Sequence, residues 1–160
     1  MSAPARPVRL TRRQALAGVA TLGPVAWLAA CSSGDTPDEP VPSSTEQTVA
    51  SAQAAAEQRL IDAYETTIAA HPGLAVDLTP LRDQHMAHAD ALGGSPGPGT
   101  ATVAPSQGAA IAALVTAERQ AARERIGACV EAGEPGLARL LAFIAASEAS
   151  HVPALRSLGA

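Results

Sequence analysis

Alanine constrains this chain more than any other feature: it supplies 38 of the 160 residues, about half of everything apolar. Alanine loses no side-chain entropy in a helix and is the strongest helix former. Only three aromatics are present (Trp27, Tyr64 and Phe143), and the larger apolar residues are mostly leucine. A sandwich or barrel needs β-branched and aromatic surface that is scarce here, so an all-α fold is expected. The length suits one domain. Eleven arginines, no lysine and 15 acids give a net charge of −4, which argues against nucleic acid as a partner.

The arginines are unevenly spread. Arg6, Arg9, Arg12 and Arg13 fall in residues 1–13, which hold no acid, and residues 14–30 form a weakly polar run broken by Gly18, Gly23 and Pro24. A run of 17 residues is short for a membrane span of ~20. Residues 1–30 therefore read as an export signal peptide. Leu28-Ala29-Ala30-Cys31, followed at once by Ser32, Ser33, Gly34 and Asp35, resembles the bacterial lipobox. That resemblance implies cleavage before Cys31, a lipid on Cys31, and a domain anchored to the cell membrane outside the cytoplasm. Thr11-Arg12-Arg13-Gln14-Ala15-Leu16 resembles the twin-arginine export motif, which implies export of a folded, often metal-loaded, protein. Without residues 1–30 the chain keeps seven arginines against 15 acids, a formal charge of −8. Cys129 is then the single unmodified cysteine. It reads as a small buried helix residue, with no intramolecular disulfide available.

Residues 31–43, rich in proline, serine and acids, read as a disordered tether. Residues 44–158 read as four helices. The first opens at Ser43 or Ser44, with a capping box from Ser44 to Gln47, and stops at His71-Pro72-Gly73. The second opens at Thr79 with Pro80 in the first helical position and closes at Gly93-Gly94. The third runs from near Ser106 to Ala132. The fourth begins at Glu134-Pro135 and reaches Leu155 or Leu158, with a kink or fraying expected at Pro153. Short connections within each pair predict two antiparallel hairpins. The longer stretch 93–105 predicts a crossover joining them into a four-helix bundle.

Each helix carries an apolar stripe at spacings of three and four, and polar residues interrupt every one. The stripes read Val49, Gln53, Ala56, Leu60, Tyr64, Ile68, flanked by Glu57; Leu78, Leu81, His85, His88, Leu92; Ile111, Val115, Glu118, Ala122, Arg125 or Ile126, Cys129; and Leu137, Leu141, Ile144, Glu148, His151, Leu155. Tyr64 and Phe143 read as core fillers, and His71 as part of a turn. A buried carboxylate without a partner costs several kcal/mol or takes up a proton. Three glutamates and three histidines meeting in one core are most simply satisfied by metal cations, or else by hydrogen bonds among themselves.

Glu57, the helix-two pair His85 and His88, Glu118, and Glu148-Ala149-Ser150-His151, in that order, resemble the ferritin-like di-iron carboxylate bundle. The resemblance spans roughly residues 45–158. It implies metal ligation by Glu57, His85, His88, Glu118, Glu148 and His151. His85-Met86-Ala87-His88 stands where that family has Glu-x-x-His, which removes one negative charge. Iron then competes with zinc or copper, and a single ion or a histidine-richer pair with a bridged one. Two functions follow as expectations. One is an envelope lipoprotein that stores, buffers or oxidises a metal. The other is a non-enzymatic scaffold with a metal-free, hydrogen-bonded core and an unidentified protein partner. No nucleophile beside a base and no glycine-rich phosphate loop supports hydrolase or nucleotide chemistry.

Overall fold

The computed structural model describes residues 42–94 and 101–159. The segment read as a signal peptide, the expected lipidation at Cys31 and the expected tether up to residue 41 lie outside the described residues, as do residues 95–100 of the middle connection. The described chain is all-helical: α1 (Ser44–Ala70), a 3₁₀ turn (Pro72–Leu74), α2 (Ala75–Ala91), α3 (Gln107–Glu131) and α4 (Pro135–Leu158). Among the described residues no helix is long and apolar enough to cross a membrane.

The caps follow from local chemistry. Ser43, not Ser44, caps α1: its hydroxyl accepts from the Glu46 N–H at 3.3 Å, and Glu46 reaches back to the Ser43 N–H at 2.7 Å. Glutamate beats the expected Gln47 because a carboxylate accepts more strongly and sits well at the positive end of the helix. The second helix begins at Ala75, four residues before the expected Thr79. The 3₁₀ turn hands the chain straight into helical geometry, with Leu74 and Ala75 both αR, so no polar cap is needed. Pro80 therefore lies inside α2, where it removes one hydrogen bond near the helix start. At the other end Gly93 takes φ +76°, and the N–H groups of Gly93 and Gly94 close onto the carbonyls of Asp90 and Ala89, each at 2.9 Å. A Cβ on Gly94 would stand 2.7 Å from the Ala54 methyl, so the chain passes α1 where only glycine fits. Ser106 caps α3 and Glu134 caps α4 as expected, and α4 continues through Pro153 to Leu158.

The most extensive packing joins α3 to α4 and α1 to α2, with α1 also against α3. The apolar core has two parts. One gathers Tyr64, Leu74, Leu78, Ile111, Leu114 and Leu155. The other gathers Ala54, Leu92, Ala128, Leu141 and Ile144. On every helix the buried glutamates, histidines and arginine fall, in sequence, between a member of one cluster and a member of the other. Phe143, expected in the core, is 69% exposed instead. It precedes Ile144 by one residue, and one residue is 100° of helix, so burying Ile144 turns Phe143 outward. Cys129 is half-buried, its thiol donating to the Ala138 carbonyl at 3.1 Å.

Candidate metal centre

The layer between the two apolar clusters holds five of the six expected ligand residues fully out of solvent: Glu57, His85, Glu118, Glu148 and His151. The sixth, His88, keeps 18% of its side chain exposed. Each is placed by helical spacing. Glu148 and His151 share one face of α4 at i, i+3, and His85 and His88 do the same on α2.

His85 is the hub. Its Nδ1 lies 2.8 Å from Glu57 Oε2 and its Nε2 lies 2.9 Å from Glu118 Oε1. Glu118 Oε1 also takes the Tyr64 hydroxyl as a donor and lies 3.0 Å from His151 Nδ1. The second nitrogen of His151 faces Gln84 Oε1 at 3.2 Å. Tyr64 is thus more than a filler of the core, because its hydroxyl is a fixed donor to the central carboxylate. Gln84 has no stripe position that would have marked it in the sequence.

Arg125 occupies the other side of the layer and is fully buried. Its Nη2 donates to Glu57 Oε1 at 2.8 Å and lies 3.4 Å from Glu148 Oε1, while Nη1 donates to Gln53 Oε1. The 3.4 Å approach is an ion pair without hydrogen-bond alignment, and among the described residues both Glu148 oxygens lack a hydrogen-bond donor. Glu118 Oε2 and His88 Nδ1 are buried and likewise without a hydrogen-bond partner. His88 Nδ1 stands 3.8 Å from Glu57 Oε1. The stripe on α3 left Arg125 and Ile126 as alternatives. The structure turns Arg125 inward and leaves Ile126 59% exposed.

The charges follow from these contacts. Burial pushes Glu148 up to about 8, against the pull of Arg125 and with the push of Glu57. Burial also acts on Glu118, but hydrogen bonds from His151, His85 and Tyr64 and the charge of His85 outweigh it and hold Glu118 at about 2. Glu57 is held below its ordinary value in the same way, burial being outweighed by His85 and Arg125. Burial would lower His85, yet its hydrogen bonds to Glu118 and Glu57 raise it to about 9. With both ring nitrogens facing carboxylates, His85 in the metal-free layer is an imidazolium donating on both sides. His88 is lowered, chiefly by burial. Burial and the Glu118 charge push Tyr64 far up, so its proton stays on.

Among the described residues, two triads, both in this layer, could hold a metal ion: Glu57 with His85 and His88, and His85 with Glu118 and His151. Donor atoms ~2.1 Å from one ion and at right angles lie ~3 Å apart, which is the spacing of Glu118 Oε1 from both imidazoles. Searches against protein-family models, curated proteins and solved structures return no match for this chain. Its chemistry therefore rests on its own geometry.

Proposed function

We propose that this chain is an exported, lipid-anchored bundle that holds a transition-metal ion in its buried polar layer. One observation carries the reading. His85 Nε2 and His151 Nδ1 converge on Glu118, while their opposite nitrogens face Glu57 and Gln84. Imidazoles oriented through the far nitrogen by an acceptor, with the near nitrogen aimed at a shared carboxylate, are the usual supports of a metal ligand set. The buried Glu148 carboxylate without a hydrogen-bond donor supports the same reading, since a cation would relieve its burial. Two imidazoles with carboxylates suit divalent iron or zinc, with copper a further choice, and a bound ion would supply Lewis acidity or, for iron and copper, redox chemistry.

A ferritin-like topology is part of the proposal. Helices α1 and α4 meet the Leu141 cluster first and the Leu155 cluster second, whereas α2 and α3 meet them in the reverse order. That order fits two antiparallel hairpins joined by a crossover along the bundle. The lipobox-like segment ending in Cys31 and the twin arginines support export of the folded, metal-loaded domain and anchoring outside the cytoplasm.

Metal analysis of the full chain, exported folded from its host, tests the reading against a His85→Ala/His151→Ala variant of equal helicity. The wild type should carry near-stoichiometric metal and the variant background levels. Equal, near-zero metal in both would leave the scaffold reading, which has its own support: His85 and Arg125 already pair with Glu57, and His85, His151 and Tyr64 with Glu118.

A further inference from the structure

We infer that Arg125 is the resident second cation of the polar layer, so that the bundle takes one divalent ion, on the Glu118 side, with Glu57 orienting His85 and not ligating. This deepens the metal-binding reading and rests on it.

Both candidate triads need His85. A neutral imidazole has one lone pair, so it can ligate through Nε2 toward Glu118 or through Nδ1 toward Glu57, but not both. The guanidinium decides between them. Arg125 Nη2 sits 2.8 Å from Glu57 Oε1, the same oxygen that His88 faces at 3.8 Å. An ion on the Glu57 side would therefore share the carboxylate with Arg125, which is already bound at the oxygen that His88 faces. Arginine cannot neutralise itself by losing a proton, so the clash of charges would persist. On the Glu118 side, among the described residues, no arginine touches the carboxylate: its partners are Tyr64 and the imidazoles of His85 and His151, and an imidazole is neutral once it ligates. The Nδ1–H of His85 then donates to Glu57 Oε2, fixing the ring.

The charge count agrees. With Glu148 protonated, Glu57 and Glu118 against Arg125 leave one negative charge in a layer closed to solvent. One divalent ion takes that layer to a single positive charge, which Glu148 can offset by releasing its proton. A second ion would add two more positive charges beside a guanidinium.

Titration of the metal-stripped full chain with Zn²⁺ by calorimetry, and with Co²⁺ by visible absorption, counts the sites. The wild type should saturate at one equivalent. Glu57→Gln should still take one, about 10–100-fold more weakly, because it orients a ligand without being one. Arg125→Met should take two, the second through Glu57, His88 and Glu148, and Arg125→Lys should return to one. A wild type that binds two equivalents, or a Glu57→Gln that binds none, overturns the assignment while the metal-binding reading stands. A wild type that binds none overturns that reading, and the assignment falls with it. Were Arg125→Met not to fold, the wild-type and Glu57→Gln counts still decide.

Discussion

The two halves of the buried layer are each built on a glutamate facing histidines, and behave differently. Around Glu118 the charges are met by neutral or switchable donors: Tyr64, His85 and His151. Around Glu57 the charge is met by His85 and also by Arg125, a permanent cation with a planar fork of donors. On the proposed assignment, the Glu118 half gives up its protons to admit a metal ion, and the Glu57 half keeps its guanidinium. A glutamate on a buried stripe is thus uninformative about ligation until the nature of its neighbour is known. Glu148 lies between the halves, close to Arg125 yet without a hydrogen bond.

Breaking the Glu57 half should cost most. In the metal-free protein, Arg125→Met removes the permanent counter-charge of Glu57 in the dry layer, and urea unfolding should show a loss of about 3–5 kcal/mol. A loss under about 1 kcal/mol would mean that the guanidinium does not lock this half. Glu118→Gln should cost less, about 2–3 kcal/mol, because the amide oxygen still accepts while the charge assistance disappears. Equal losses in the two variants would erase the distinction between the halves.

The smallest effect per step is the pH dependence of the metal-stripped protein, in which Glu57, His85, His88, Glu118, Arg125, Glu148 and His151 all face the layer. Glu118 is depressed to about 2 from 4.5, so its contribution is present above pH 4.5 and is lost as pH falls toward 2. Glu148 is raised to about 8 from 4.5, so the folded state holds a proton that the unfolded chain has released. Its contribution is complete below pH 4.5 and is lost as pH rises through 8. His85, raised to about 9 from 6.5, adds a further loss between those values. Stability should peak near pH 4.5 and decline on both sides. Glu148→Gln should flatten the alkaline limb by up to about 1.4 kcal/mol per pH unit between 4.5 and 8, as read from urea midpoints at fixed ionic strength. An unchanged limb would show that Glu148 is not held protonated.

The candidate site was legible in the sequence as far as spacing carries it. Glu57, His85, Glu118, Glu148 and His151 fall on or beside apolar stripes, and all five are buried. His88 fell on its stripe too, yet lies at the layer's edge, because a stripe covers an arc wider than the fully dry zone. Gln84, which faces His151, lies one residue before His85, off the stripe, and left no signal. Its contact depends on where Ser147 and His151 of α4 come to rest beside it.

What the amino-acid order determined by itself was local: helices from alanine, ends from Ser43, Ser106, Gly93 and the Glu134-Pro135 pair, and which face of each helix is apolar. What only the tertiary structure decided was the exact rotation of each helix about its axis. Adjacent residues differ by 100°, so a stripe leaves neighbours such as Arg125 and Ile126, or Leu114 and Val115, nearly equivalent. Packing of α3 against α4 and α1 broke that tie, sending Arg125 and Leu114 inward. The physical reason is that Glu57 and Glu148, carried by other helices, are the partners that make a buried guanidinium tolerable. No pattern within α3 could show where they would be.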